Sequence, residues 1–391
     1  MRAPEEHPLY PWLVETRRDF HMHPELGLKE FRTAAKIRDV LTGLGATFQE
    51  LPGVETGVAA IFEGQPGAKT LALRADIDAL PMTELNDVPY KSVVEGVMHS
   101  CGHDCHATVM LGVARQVVES GLLKTIRGRL KFIFQPAEEI VAGARLMVDA
   151  GVLERPKVGR ILALHMNTDL SIGEVGLYTG VSHAHTDSFR LVIQGKGVHG
   201  AHPHDGIDPI VAGAHFVSAL QSIVGRNLDP RDAGVVTVGQ FQAGTAPNII
   251  PDQALLRGTV RTFKAEVREI IMRRLQDLAA SLHPAFRVTV DYQFIPGVPS
   301  TINDEAVAAD LYQAAVAVLG PENVTYLAPK MGGEDFGLFT QLVPGAFMRL
   351  GCANAARGIT YKGHSPHFDV DERALPIGVE IMTEAIRRYL A

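Results

Sequence analysis

The sequence predicts an α/β fold, a mainly parallel sheet covered by helices, with a smaller β-α-β-β-α-β domain inserted into it. Three observations carry this expectation. Short apolar runs alternate with helical apolar spacing in the first part of the chain, a different rhythm takes over near Ser188, and the first rhythm returns after Pro296. At 391 residues the chain is about twice the common domain size, so its length accommodates two cores.

Taken in order, the apolar residues of 12–44 recur at helical spacing, and the turn His21-Met-His-Pro-Glu-Leu-Gly27 divides them into two helices. Residues 70–74, 129–135 and 160–165 read as strands, with helices near 107–120 and 141–150 between them. That is the order of parallel strands joined by crossover helices. Beyond 188, residues 189–195, 235–243, 253–262 and 286–292 read as strands and 208–224 and 264–282 as helices. Asp208-Pro209 opens the first of these helices, with proline at a tolerated first-turn position. The resulting order is the split, ferredoxin-like arrangement of four strands with two helices on one face. A helix near 304–319, a strand near 343–350 and a helix at 377–390 restore the earlier style. The expected organisation is therefore a large domain in two parts, 1–183 and 294–391, around an insert at 184–293.

Composition excludes several classes. Lys and Arg total 37 against 44 Asp and Glu, a net charge of −7 without a basic cluster, so the electrostatic footprint of a nucleic-acid binder is absent. The longest uncharged stretch, 233–251, is interrupted by Gly, Gln, Asn and Pro, and no membrane span is expected. The opening Met1-Arg-Ala-Pro-Glu-Glu lacks the apolar core of a secretory signal. Cys101, Cys105 and Cys352 are too few for a disulfide framework and suit a reducing compartment, so a cytoplasmic protein is expected. Most of the 16 histidines fall in clusters, His99/His103/His106 and His199/His202/His204 among them, which suggests a metal site.

The position of the polar residues is informative. Asp76 and Asp78 follow the first predicted sheet strand, Glu138 and Glu139 the second, and His165 closes the third. Ligands of open α/β sheets bind beyond the carboxyl ends of the strands, so these groups are expected to converge. In His99-Ser-Cys-Gly-His-Asp-Cys-His106, glycine between Cys101 and His103 lets the backbone fold so that both side chains face one ion. Thiolate, imidazole and carboxylate suit zinc, cobalt, nickel, iron or manganese better than calcium or magnesium. Cys101, His103, Glu139, His165 and His364 make five ligands, enough for two ions if one ligand bridges. Of the adjacent glutamates, Glu139 is assigned as ligand and Glu138 as the general base that takes a proton from an activated water.

These motifs carry a resemblance. The histidine string above, with Arg74-Ala-Asp-Ile-Asp-Ala-Leu-Pro81, Gln135-Pro-Ala-Glu-Glu139, Gly195-Lys-Gly-Val-His-Gly-Ala-His-Pro-His204, Gly244-Thr-Ala-Pro-Asn-Ile-Ile-Pro251, Met331-Gly-Gly-Glu-Asp-Phe336 and His364-Ser-Pro-His-Phe368, resembles the metallo-amidohydrolase family of hippurate hydrolases. That family includes indole-acetyl-amino-acid hydrolases, N-acetyl-diaminopimelate deacetylases, and related aminoacylases and carboxypeptidases. The resemblance spans nearly the whole chain. It implies a catalytic domain holding two divalent metal ions (zinc, manganese, cobalt or nickel), with the insert as a lid that also makes a homodimer or higher oligomer. It implies the same five ligands, Glu138 as acid/base, and His199 polarising the scissile carbonyl, in many relatives across a dimer interface. Asn248 and Arg261 match lid positions that hold the substrate's polar end. The implied substrate is a small N-acyl amino acid or short peptide.

Two departures fall where the substrate pocket is expected. His165-Met-Asn-Thr-Asp lacks the aromatic-proline run common in these relatives, and His183-Ala-His-Thr-Asp187 puts histidines where small residues or methionine are usual. A metal-dependent aminopeptidase, dipeptidase or carboxypeptidase on the same scaffold is the alternative activity, and a binding protein that has lost its chemistry is the non-enzymatic one. Taken singly, Glu138-Glu139 reads as an acidic pair favouring a helix start, Cys105 and Cys352 as packing, Asp76 and Asp78 as caps or braces of their loop, with Asp78 orienting a ligand as the other reading, and Gly332-Gly333 as a close backbone approach.

Overall fold

The computed structural model describes residues 3–391; Met1 and Arg2, on which the reading of the chain's opening partly rests, lie outside the described residues. The chain forms two compact units. One is built from the chain up to Ser182 with Ile302–Pro329 and Asp335–Ala391, the other from His183–Thr301 with Lys330–Glu334.

Helices α1 (Tyr10–Met22) and α2 (Phe31–Gly43) open the larger unit. They are followed by β1 (Thr47–Phe48), β2 (Val58–Glu63), β3 (Gln65–Asp76), α3 (His103–Glu119), β4 (Arg127–Gln135), α4 (Gly143–Asp149), β5 (Arg160–Ser171), β6 (Val175–Leu177) and β7 (Gly180–His183). Next come β8 (His185–Gln194), β9 (Val198–His199), α5 (Pro209–Asn227), β10 (Gly234–Ala243), β11 (Ile249–Ile250), β12 (Gln253–Thr262), α6 (Ala265–Phe286) and β13 (Thr289–Val298). The chain ends with β14 (Thr301–Asn303), α7 (Glu305–Leu319), β15 (Val324–Tyr326), α8 (Gly337–Thr340), β16 (Gly345–Ala353) and α9 (Ala374–Leu390).

The large unit is built on an eight-stranded sheet in the order β1-β2-β4-β3-β5-β16-β6-β15. Its centre, β4-β3-β5-β16, is parallel throughout, and β2 and β6 join antiparallel to β4 and β16. Every residue from Thr70 to Asp76 is buried, as expected of a strand covered on both faces. Leu71, Leu73 and Ala75 enter the main core with residues of α1, α3, α7 and α9, while the guanidinium of Arg74 lies over the Phe336 ring. Strand β2 escapes the sequence reading because it joins β3 directly through Gly64, without the crossover helix that marks the other strands. Helix α4 begins at Gly143 instead of near 141, because Ala137 (φ 54°) and Val141 (φ 59°) hold a left-handed turn that no helix can include.

In the second unit, β10-β12-β8-β13 form an antiparallel four-stranded sheet. Phe189, Leu191 and Ile193 of β8 point alternately to one face, where they pack with Phe216 and Leu220 of α5 and Ile271 and Leu275 of α6. The Asp208 carboxylate caps α5, accepting from the backbone N–H groups of Ile210 (2.8 Å) and Val211 (3.3 Å). Strand β13 runs on to Val298 past an irregularity after Ile295, so the unit extends to Thr301, whereas the rhythm placed this joint near 293. Among the described residues, no helix is long and apolar enough to cross a membrane.

The lead into α9 is set by Asp371. Its carboxylate accepts from Arg373 Nε (2.9 Å) and Nη2 (2.6 Å), the Arg373 N–H (3.1 Å) and Asn354 Nδ2 (2.6 Å). Burial alone would raise its pKa, but Arg373 and Asn354 outweigh it and bring it down to about 2. A carboxyl depressed in the folded state contributes stability above its unfolded pKa and loses it as the pH falls through the folded value. Asp371→Asn is therefore expected to lose about 2 kcal/mol at pH 7. In urea titrations its difference from wild type should shrink between pH 4 and pH 2.

Candidate active site

The carboxyl ends of β3, β4 and β5 meet because the strands are parallel and in register: Asp76 pairs with Gln135 and Arg74 with Ala163. Cys101 and His103 reach this edge from the start of α3. Gly102 between them has φ 92°, and a Cβ there would stand 3.0 Å from the Met166 Cβ, so both the conformation and the space call for glycine. His364 arrives from the far end of the sequence on a loop fixed by its own N–H, which donates to the Ser100 carbonyl (2.7 Å).

All five sequence-assigned donors come together. One donor atom each of Cys101, His103 and His165 lie within 4.8 Å of one another, as do those of Cys101, Glu139 and His364, and those of His103, Glu138 and Glu139. Cys101, His103 and Glu139 each stand in two of these sets. His364 Nε2 is 3.3 Å from Glu139 Oε1, and Cys101 Sγ is 3.4 Å from His165 Nε2.

The ring orientations follow from the partners on the other side. His165 Nδ1–H donates to the Met166 carbonyl (2.7 Å), which leaves Nε2 as the lone pair facing Cys101. His103 Nδ1–H donates to the Asp78 carbonyl (2.9 Å) beside the Asp78 carboxylate (3.2 Å). Its Nε2 is buried without a hydrogen-bond partner and stands 3.9 Å from Glu139 Oε1, which also has His364 Nε2 at 3.3 Å. A buried imidazole nitrogen without a partner beside a buried carboxylate oxygen is a place that a cation satisfies. Burial, assisted by Arg349, keeps the His165 pKa well below the ordinary imidazole value. For His103, burial acts in the same direction, but Asp76 and then Asp78 outweigh it and hold the pKa well above that value. Cys101, then Glu139, push His364 up to about 10.

Glu138 and Glu139 occupy the tight turn between β4 and α4, closed by Val141 N–H to the Glu138 carbonyl (2.8 Å) and by Ala142 and Gly143 N–H to the Ala137 carbonyl (both 3.1 Å). A Cβ at Gly143 would lie 1.5 Å from the Pro136 oxygen, so only glycine closes it. The Glu30 carboxylate accepts from Ala137 N–H (2.8 Å), and Asp78 Oδ2 from Glu139 N–H (3.0 Å). Asp78 thus braces two donors, His103 and Glu139.

The remaining site candidates lie in the second unit. His199 on β9 pairs with Ile249 of β11, and Gly200 N–H donates to the Asn248 carbonyl (2.7 Å), so His199 and Asn248 share one small ladder and are both exposed. His199 Nδ1 accepts from Ala201 N–H (3.0 Å). Arg261 is half-buried, and its Nη1 donates to the carbonyls of Asp187 (3.3 Å) and Val260 (2.9 Å) and to the Thr259 hydroxyl.

Sequence reasoning missed the layer behind the donors. His106 is fully buried, its Nδ1–H donates to Asp76 Oδ1 (2.5 Å) and its Nε2 accepts from Met166 N–H (2.8 Å), next to His165. Asp335 and Gln135 are buried as well. Both stand in quoted motifs, but nothing in a linear string distinguishes a buried carboxylate from an exposed one.

A thiol, imidazoles and a carboxylate at the carboxyl edge of a parallel sheet, with a second carboxylate beside them, are the donor chemistry of a metal-dependent hydrolase. A model of peptidase family M20/M25/M40 matches residues 72–388, and the chain belongs to that family. The N-acetylcysteine deacetylase of Bacillus subtilis (strain 168) is 38% identical over 372 residues, covering 95% of this chain and 95% of its own length. The IAA-amino acid hydrolase ILR1-like 4 of Arabidopsis thaliana is 38% identical over 386 residues, 97% of this chain and 86% of its own. Among solved structures, the Bacillus subtilis YXEP protein, a dinuclear metal binding peptidase from the M20 family, aligns with a TM-score of 0.85 at 34% identity, covering 97% of this chain and 98% of that one.

Bracing by Asp78 predicts a measurable effect on cation affinity. Asp78→Asn is expected to weaken cobalt binding about 10- to 100-fold, read by chelator competition, with the thermal midpoint little changed. Unaltered affinity would remove Asp78 from that role.

Proposed function

We propose that this chain is a metal-dependent amidohydrolase that cleaves the amide bond of small N-acyl amino acids, hippurate-like or N-acetylated, with Glu138 as general acid/base. The observation that carries this reading is the convergence of His103 Nε2, buried without a hydrogen-bond partner, with Glu139 Oε1 and three further soft or borderline donors, next to Glu138. Cys101, His103, Glu139, His165 and His364 are the residues that would hold two divalent ions. When bound, such ions supply Lewis-acid polarisation of the carbonyl and bring the pKa of water toward neutrality.

The chain's own residues then divide the work. Glu138 takes a proton from the attacking water, which adds to the carbonyl carbon, and returns it to the departing nitrogen as the C–N bond breaks. Positive charge organised before the reaction holds the tetrahedral oxyanion at low reorganisation cost. His199 accepts a backbone N–H at Nδ1, so its neutral ring carries the proton on Nε2 and offers it to the scissile carbonyl. Asn248 and Arg261 are assigned to the substrate's polar end. The second unit serves as lid and dimer surface, a role supported by its edge strand β10, which exposes Val235 and Phe241.

Glu138→Gln is expected to lower kcat about 10²- to 10⁴-fold on hippurate or N-acetyl amino acids while two ions per chain remain by elemental analysis. Full activity in that variant contradicts the mechanism. Wild-type turnover of free dipeptides but of no acylated amino acid would assign the alternative, an aminopeptidase or dipeptidase.

A further inference from the structure

The turn that carries Glu138 and Glu139 is strained. Ala137 and Val141 both adopt positive φ without being glycine, and Val141 is β-branched, a conformation that persists only where the surroundings over-determine it. The ends of the turn are Gln135, the last residue of β4, and Ala144, in the first turn of α4. Both are bonded to one side chain. Asp335 Oδ1 and Oδ2 accept from Gln135 Nε2 (2.9 and 2.7 Å), and Oδ2 also accepts from Ala144 N–H (3.1 Å).

Asp335 is itself locked. Arg74 Nη2 donates to its Oδ1 (2.9 Å), Arg74 Nε donates to Gln135 Oε1 (2.9 Å), and Arg74 Nη1 donates to Asp76 (2.6 Å). Because Gln135 Oε1 is engaged by Arg74, its amide can present only Nε2 to Asp335. Arg74 and Asp335 are completely buried, so these are charge-assisted bonds in a low-dielectric place, where geometry is held tightly. Asp335 is also the residue at which the chain rejoins the large unit after Lys330–Glu334.

We propose that Asp335, locked by Arg74, is a positioning residue for Glu138: it straps both ends of the strained turn and thereby fixes where the proton is taken and returned. The inference rests on the reading of Glu138 as acid/base. Without the strap the turn relaxes toward less strained backbone, which displaces Glu138 and loosens Glu139 on the same turn. A displacement on the order of 1 Å is enough to cost about 10²-fold in rate.

The test is a double-mutant cycle at saturating cobalt. Asp335→Asn, nearly isosteric, is expected to lower kcat about 100-fold with KM within about twofold, and to weaken cobalt binding about tenfold in chelator competition. In a Glu138→Gln background the same substitution should lower the residual rate no further, since a misplaced base and an absent base are equivalent. Gln135→Leu removes the Gln135 end of the strap, both bonds to Asp335 and the one accepted from Arg74, without changing any charge; it is expected to show the same signature at about tenfold, and it decides the matter if Asp335→Asn does not fold. Loss of rate that multiplies fully onto Glu138→Gln, or that only tracks loss of folded protein, overturns the positioning role while leaving Glu138 as the base. Full activity in Glu138→Gln alone overturns both.

Discussion

A buried polar atom without a partner costs about 1–3 kcal/mol, more if it is charged, and the carboxyl edge of the large sheet places one such atom, His103 Nε2, opposite the Glu139 carboxylate. The rest of the site is arranged around that constraint. Asp78 fixes the ring of His103 and the backbone of Glu139, and the Met166 carbonyl fixes the ring of His165. The Ser100 carbonyl fixes the loop of His364. Together these bonds hold the thiol, imidazoles and carboxylate at one edge, where a divalent cation relieves the buried His103 nitrogen.

Behind the donors lies a buried polar layer in which Arg74 is shared. One edge of its guanidinium holds Asp76, which holds His106, which in turn holds the backbone N–H of Met166 beside His165. The other holds Asp335 and Gln135 at the base of the Glu138 turn. Removing one partner of such a network leaves a charge buried without compensation, a larger loss than the bond itself. The strand that carries Arg74 thus connects the histidine side of the site with the glutamate side.

Much of this was legible in the sequence because the fold and the donors obey local rules. Strand-end positions of Asp76, Glu139 and His165 pointed to one edge, Gly102 announced a sharp turn, and the β-α-β-β-α-β order gave the second sheet its topology. What escaped was non-local or conformational. Val141 belongs to an apolar run and reads as helix, yet the Pro136 oxygen beside Gly143 and the left-handed turn push the helix start two residues on. Strand β13 continues past an irregularity that a four-stranded pattern cannot show. Asp335 lies 200 residues from Gln135 along the chain, so its burial and its bonds are products of tertiary structure alone.

Anomalous diffraction from crystals grown with cobalt or manganese tests the central claim most directly. Two anomalous peaks are predicted, bounded by Cys101, His103, Glu139, His165 and His364, with ligand bonds of about 2.0–2.3 Å to nitrogen, oxygen and sulfur. A map with no peak there, or with a single ion bound away from Cys101 and Glu139, would contradict it.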